Sequence, residues 1–569
     1  MNRTFARTLA AAAAAGMLMG AAEATPSLSK PGEAIEKTQP QADARVERPL
    51  PDSPSEAQEV HFMISGVHLD ARELKLSKEA LTKIVSESVG VETTLSAFNQ
   101  TMDRVTAYCR AHGYPASAAY LPAQESSDGM VTIKVIPGRY GEVRIENRSR
   151  LQESAIRSLL HGLKAGDIIR TSKLETAIYS VSELSGTKAI GILSPGKDFG
   201  TSDLTIRVED GKPSTTVLYT ENYGSKSSGS YRFGLQESLC DIGGTGAGVH
   251  VGALISNDNL HNYYANCETL AGRGGTKLGI GYSRMDYKLG GIFRNTGANG
   301  TADTISLFGS RPIYHLGNRR LAWRFGYDYR MLKDEFDLFP AANSKKHSHS
   351  VHIGLEGYNR WPGAAADYHV TMTAGTLGAD SRQARAFSEA AETDGSFAKV
   401  EASVTGIRAI GHQTDIMLRL SGQAAFDNLD SSEEMYLGGA NGVRAYPQGE
   451  GAGDEGVMGT LEFRCHTNVP GLVLSTYFDA GYTRSMHHGT VLMDNSATAL
   501  RGWGVGISYT KPNDWFARFD CARRIGGDDG MSDDAQSKER MWFIFQLSGL
   551  NHRLLGGNTF SSAAQSRVL

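Results

Sequence analysis

Two hydrophobic periods divide the chain, and they meet near Gly211. From Glu59 onward, LSKEALTKIVSESVG and LSAFNQTMDRVTAYCRAHG place apolar residues three and four apart, which predicts two amphipathic helices, the second stopped at Gly113. VHFMISGV before them, and ASAAYLP and DGMVTIKVIPG after them, read as strands, the last opened by the turn pair Asp128-Gly129. The order β-α-α-β-β then returns: YGEVRIEN, the helices LQESAIRSLLHGL and SKLETAIYSVSEL, and the strands KAIGILSPG and SDLTIRVEDG. Residues 59–137 and 138–211 are read as two copies of one small α+β unit.

Beyond Gly211 the period falls to two. In RLAWRFGYDYRM, Leu321, Trp323, Phe325, Tyr327, Tyr329 and Met331 alternate with Arg320, Ala322, Arg324, Gly326, Asp328 and Arg330. A strand of a soluble sandwich alternates in the same way. Repetition separates the two readings, because Val249/Val251/Ala253/Ile255, Val351/Ile353/Leu355, Trp503/Val505/Ile507/Tyr509 and Met541/Phe543/Phe545/Leu547 continue the pattern. Membrane strands need roughly 9 to 11 tilted residues, apolar toward lipid and polar toward a wet lumen. Dividing Lys212 to Ser548 by about 20 residues per strand and connection gives roughly 16 to 17 strands. Even counts are the rule, so a 16-stranded antiparallel transmembrane β-barrel over 212–548 is expected. It must close, since lipid cannot satisfy an open sheet edge. Alternation weakens between residues 376 and 412, where strands are not assigned.

Composition agrees with that division. The 65 glycines and the 20 Phe, 22 Tyr and 5 Trp lie mostly after Gly211, and 58 basic against 62 acidic residues argue against a nucleic-acid partner. Arg3 and Arg7 precede a small apolar run from Leu9 to Ala22 that ends in Ala22-Glu23-Ala24, so residues 1–24 read as a signal peptide and the chain as exported. Residues 25–58 form a proline-rich linker with room for one short helix from Glu33 to Lys37, ended by Pro40. No later run of about 18 apolar residues occurs, which excludes helical membrane spans. Cys109, Cys240, Cys267, Cys465 and Cys521 have no metal spacing and read as packing residues. Lys345, Lys346, His347, His349 and His352 read as a solvated loop or turn, without metal. With no G-x-S-x-G elbow, no phosphate loop and no paired carboxylates in a catalytic frame, no enzyme, cofactor or metal is expected. Residues 549–569 follow the last apparent strand, RMWFIFQLS, as a C-terminal extension.

GYPASAAYLPAQESSDGMVTIKVIPGRYGEV resembles the end of a polypeptide-transport-associated (POTRA) domain, and the second copy resembles the POTRA that adjoins an outer-membrane barrel. Such a sheet can bind an extended peptide at an unpaired edge. The second strand is usually that edge, which here implies Ala116 to Pro122 and Lys188 to Leu193. Farther on, the region 429–456 holds SSEEMYLGGANGVRAYPQGEGAGDEG, followed by Glu462 and by YFDAG at Tyr477 to Gly481. These motifs resemble the loop 6 signature and inner-wall motif of the two-partner secretion transporters, the ShlB/FhaC/HecB family. Family members carry VRGY where this chain has VRAY, so Ala445 replaces a glycine and restricts the tip wherever φ > 0 is required.

The resemblance implies that Arg444 pairs with Asp479 inside the lumen, within a gate of Val443, Arg444, Tyr446, Phe478, Asp479 and Gly481. It implies an outer-membrane protein with POTRA domains in the periplasm that secretes an unfolded haemolysin-, adhesin- or toxin-like exoprotein bearing an N-terminal secretion domain. Outer-membrane lipid and the barrel-assembly machinery are its other expected partners. The alternative is a barrel-insertion factor of the BamA/TamA type, whose members usually carry three or five POTRA units.

Overall fold

The computed structural model describes residues 46–47 and 61–548, apart from 125–128, 185–186, 213, 491–493, 513 and 527–536. The expected signal peptide, the helix at 33–37 and the extension at 549–569 lie outside the described residues. Strand β1 is Val46–Glu47. The first α+β unit comprises β2 (His61–Met63), β3 (Gly66–Asp70), α1 (Lys78–Ser86), β4 (Glu92–Thr94), α2 (Leu95–Ala111), β5 (Ala118–Tyr120) and β6 (Met130–Ile136). The second comprises β7 (Arg139–Arg148), α3 (Glu153–Leu160), α4 (Thr171–Ser182), β8 (Thr187–Pro195) and β9 (Thr201–Asp210).

Helix α1 begins where the Ser77 hydroxyl accepts the Ala80 N–H, and α2 where Thr94 does the same for Ala97. Along α2 the buried Phe98, Met102, Val105 and Cys109 form one stripe, which packs with Leu81 and Val85 of α1 on Ile133 of the sheet β3-β6-β5. The expected single strand VHFMISGV divides into β2 and β3. Ser65 N–H donates to the Gly129 carbonyl and Gly90 N–H to that of Ile64, so the backbone turns around the fully buried Ile64.

Strand β5 is an edge of its sheet, as expected, but both expected edges are partly covered. At β5, Thr106 accepts the Ala119 N–H at 2.8 Å and the Arg110 guanidinium donates to the Ser117 carbonyl at 3.1 Å, so helix α2 covers that strand's outer side. At β8 the outer side is paired in parallel with β1, Val46 against Gly191 and Glu47 against Ile192.

The barrel opens with β10 (Ser214–Glu221), β11 (Arg232–Ile242), β12 (Ala247–Ser256), β13 (Leu260–Leu270) and β14 (Lys277–Lys288). It continues with β15 (Asn299–Leu316), β16 (Arg319–Glu335), β17 (Ser344–Trp361) and β18 (Ala364–Ala379). Helix α5 (Arg382–Ala390) interrupts the sequence where alternation weakens, before β19 (Gly395–Ala409) and β20 (Thr414–Ala425). A small hairpin, β21 (Met435–Tyr436) and β22 (Ala452–Gly453), belongs to the following loop. Strands β23 (Glu455–His466), β24 (Leu472–Arg484), β25 (Ala497–Lys511), β26 (Trp515–Arg524) and β27 (Glu539–Ser548) complete the wall. Every neighbour pair is antiparallel and β27 pairs with β10, giving a closed 16-stranded barrel.

The outer face is apolar. Trp323, Val351, Ile353, Met372, Leu461, Val505 and Met541 all stand exposed on the bare protein. An apolar surface that extends around a closed sheet is the lipid-facing band of a membrane barrel. No helix among the described residues is long and apolar enough to cross a membrane.

The histidine cluster is part of β17, not a loop or turn: Lys346 pairs with Asp430 at 2.5 Å and His352 with Asp328 at 3.3 Å. Its alternation was hidden because lysine and histidine hold both faces there, in place of apolar residues on one.

The second unit docks on the barrel through α4. Tyr179 stacks on His315 with ring centroids 4.5 Å apart, and Thr176 accepts the His315 N–H. Arg320 bridges Glu183 at 2.8 Å and Glu356 at 3.0 Å. Burial pushes the Glu183 carboxyl up, but contact with His315 and the charges of Arg320, His315 and Lys277 outweigh it and hold it at about 2.

Candidate lumenal gate

Between β20 and β23 the chain folds back into the lumen. The β21–β22 hairpin starts the turn, and Leu437 and Gly438 N–H groups both donate to the Glu450 carbonyl. Gly439 (φ 123°), Gly449 (φ 87°) and Gly451 (φ 69°) supply the positive φ that lets so short a stretch reverse. Val443 N–H then donates to Leu437 and Tyr446 N–H to Val443, which closes a compact tip with Arg444 at its apex.

Arg444 is 5 % exposed. Its Nε and Nη2 donate to the two oxygens of Asp479, each at 2.9 Å, and its own backbone N–H adds a bond of 3.2 Å to the same carboxylate. Nη1 reaches Glu462 at 3.1 Å and Asp520 at 3.3 Å. The guanidinium carbon lies 3.1 Å from the centre of the Tyr477 ring, so cation and π face are in direct contact. A planar fork suits this bidentate arrangement, which an ammonium cannot copy.

Thr460 donates to Asp479 at 2.8 Å, and Arg518 donates to both Asp520 and Glu462. Two guanidiniums therefore bond three carboxylates, all set on β23, β24, β26 and the loop tip, and Arg419 of β20 lies within electrostatic reach of Glu462 and Asp479. The tip is also held from the closing strand: Trp542 Nε1 donates to the Arg444 carbonyl at 2.7 Å. Arg524 lies over the Tyr446 ring at 4.4 Å, with its Nε 3.3 Å from the Ala445 carbonyl.

Of the expected residues, Val443, Arg444, Tyr446 and Asp479 meet in this buried cluster, and Gly481 lies beneath it. A Cβ at Gly481 would come 2.8 Å from Leu437 Cδ2, so the bare backbone lets the loop pass. Phe478 does not belong to the cluster. It follows Tyr477 and precedes Asp479 on a strand of period two, so it points outward and stands 44 % exposed on the lipid face.

Ala445 causes no strain. Among the described non-glycine residues only Asp241, Asn259 and Glu392 have positive φ, and the Ala445 methyl packs where Gly502 of β25 has no side chain. Sequence reasoning missed Tyr477, Arg518, Asp520, Gly502, Arg524 and Trp542. The signal for two of them was present: in WFARFDCARR the charges of Arg518 and Asp520 fall two apart on one face of a membrane strand.

Residues 200–509 match the family described as "Haemolysin secretion/activation protein ShlB/FhaC/HecB", and residues 62–138 match "POTRA domain, ShlB-type". The heme/hemopexin transporter protein HuxB of Haemophilus influenzae (strain 86-028NP) is 24 % identical over 495 residues, 85 % of this chain and 87 % of its own length. The outer membrane transporter CdiB of Dickeya dadantii (strain 3937) is 22 % identical over 442 residues, 74 % and 76 % of the two chains. In fold, CdiB from Escherichia coli superposes with a TM-score of 0.68 at 19 % identity, covering 93 % of this chain and 95 % of that one.

Proposed function

The chain belongs to the haemolysin secretion/activation family ShlB/FhaC/HecB, whose relatives are outer-membrane transporters with periplasmic POTRA domains, and from that premise we propose how it moves its exoprotein. An unfolded exoprotein with an N-terminal secretion domain is bound by the two POTRA units and passes through the lumen once loop 6 yields. It then folds outside as a haemolysin-, adhesin- or toxin-like protein. The observation that carries this reading is the burial of Arg444 inside the lumen with Asp479 bidentate to it, because a loop held there blocks the path that a polypeptide must take. Barrel-assembly machinery inserts the transporter, and outer-membrane lipid covers its apolar band.

The test is Arg444→Ala in cells, with the transporter's membrane level and the exoprotein in the medium both measured. Secretion is expected to fall sharply while the barrel remains assembled. Normal secretion at normal membrane level refutes the gate. Depletion of the transporter separates secretion from barrel insertion: loss of an exoprotein from the medium supports the first, and loss of other outer-membrane barrels supports the BamA/TamA-type alternative.

A further inference from the structure

The sheet of the second POTRA unit has two long edge strands, and one is blocked at its middle. In the order β1-β8-β9-β7, β1 pairs with Gly191 and Ile192, midway along β8, whereas β7 beyond its bridge from Arg139 to Ile168 pairs only with β9. Val143 and Ile145 of β7 pack toward the helices of the domain, while Arg144, Glu146 and Arg148 face solvent. The backbone side away from β9 over 143–148 carries no strand among the described residues. At about 3.3 Å per residue, these positions offer roughly 20 Å of open edge.

Two further features lie at the ends of that edge. At its start, beside a register shift between Tyr140 and Val143, lies an open cleft of about 450 Å³, walled by Val143, Leu163 and Ala165 with Lys197, Asp198 and Asp203 at its polar side. At its end the chain runs from Arg148 to Gln152, whose N–H donates to the Gly244 carbonyl at 2.7 Å and whose side chain donates to Gly243 at 3.0 Å. Those glycines form the turn between β11 and β12, so β7 leads to the rim of the barrel.

We propose that residues 143–148 of β7 are the edge to which an extended segment of the exoprotein adds, with one apolar side chain seated among Val143, Leu163 and Ala165. The inference rests on the transport reading above. Only an extended polypeptide satisfies a row of unpaired N–H and C=O groups, and backbone bonding makes such binding tolerant of sequence. The charged side chains do not impose a pattern on it. Glu142 pairs with Arg144 and Glu146 with Arg207, all largely exposed, and exposed pairs are weak because water competes for both charges. Added strand by strand, the segment is aligned toward the β11–β12 rim.

The experiment places a photoreactive residue at position 144, 146 or 192 in the full-length transporter in cells. The probe is the large polypeptide that disappears from the medium when the transporter is deleted. Crosslinks to that polypeptide are expected from 144 and 146, and few from 192, where β1 already pairs with β8. Ala165→Trp, which fills the cleft at an exposed position, is expected to lower crosslinking and secretion several-fold at unchanged membrane level, and Lys164→Trp, exposed and outside the cleft, to leave both intact. Crosslinks from 192 without any from 144 or 146 overturn the proposal, as does normal secretion by Ala165→Trp, while transport itself stands. If deletion removes no polypeptide from the medium, the transport reading fails and this inference with it.

Discussion

Gly502→Ala offers the sharpest test of how the loop tip is held. A Cβ built at Gly502 lies 2.5 Å from the Ala445 Cβ, whereas carbon atoms settle about 3.5 to 4.0 Å apart. Backbone on a barrel strand cannot move far, so the tip must retreat by about 1 to 1.5 Å. Arg444 is the adjacent residue. Its two bonds to Asp479 measure 2.9 Å, and a retreat of about 1 Å takes them beyond the roughly 3.2 Å limit of a good N–H···O bond. Overpacking of this kind costs about 1 to 3 kcal/mol, which raises the population of the displaced loop by roughly 5- to 150-fold. The assay is conductance of the purified protein in planar bilayers, with secretion measured in parallel. Open events are expected to become more frequent, and Ala445→Gly in the same protein to restore the wild-type frequency by removing the second methyl. If Gly502→Ala conducts like wild type, or if Ala445→Gly does not rescue it, the steric argument fails.

Trp542→Phe keeps a ring of similar shape but deletes the donor to the Arg444 carbonyl, leaving that buried oxygen unpaired at a cost of about 1 to 3 kcal/mol. More frequent pore opening is expected at an unchanged level of folded barrel, and an unaltered opening frequency speaks against Trp542 as a holder of the tip. The contact between the second α+β unit and the barrel should depend on acid. Glu183 titrates at about 2 in the folded protein against an ordinary 4.5, so its stabilising charge is fully present above 4.5 and is lost as pH falls through 2. Protection of the α4 amides, measured against the free-amide exchange rate at the same pH, is expected to fall over that window, and Glu183→Gln to lose protection at neutral pH. Protection that is flat down to pH 2.5 contradicts the ionic account.

How much of this could be seen in the residue order depended on whether one strand or several had to be known. The barrel followed from period two, because each strand shows its own lipid face, as Val351, Ile353 and Leu355 do, and the count of 16 followed from the length of the segment and the rule of even numbers. Strand β17 shows the limit of that signal, since Lys345, His347 and His349 replace apolar residues toward one end of it. Arg444 and Asp479 were legible because each stands in a motif. Gly502 was not, because a glycine on a barrel strand means nothing until Ala445, 57 positions earlier in the chain, is known to press on it. Phe478 misled for a related reason: a motif names consecutive residues, and on a strand consecutive residues point to opposite faces. The cover on β8 at Gly191 and Ile192 was not foreseen because Val46–Glu47 comes from a segment too poor in apolar side chains to be read as a strand.

The charge cluster also bears on how the proposed gate can move. Burying ions is costly, so a paired set in the interior adds little net stability, whereas removing one partner costs about 3 to 5 kcal/mol. Arg444 touches Asp479, Glu462 and Asp520 at once, and if it leaves, Arg518 stays on Glu462 and Asp520 while Asp479 keeps only the Thr460 hydroxyl as a bonded side chain among the described residues. A loop drawn out part of the way therefore loses the bidentate bonds without admitting enough water to hydrate the charges left behind. Partial withdrawal is the least favourable arrangement, and the two stable ones are the seated loop and a fully displaced loop with a wet lumen. Conductance of the wild-type protein is accordingly expected to switch between a closed and an open level. Asp479→Asn, which keeps the shape of the partner and removes one charge, should shorten the closed dwell times and leave the open level unchanged. A continuum of intermediate conductances in the wild type, or an open level altered by Asp479→Asn, would show that the loop slides and is not released as a unit.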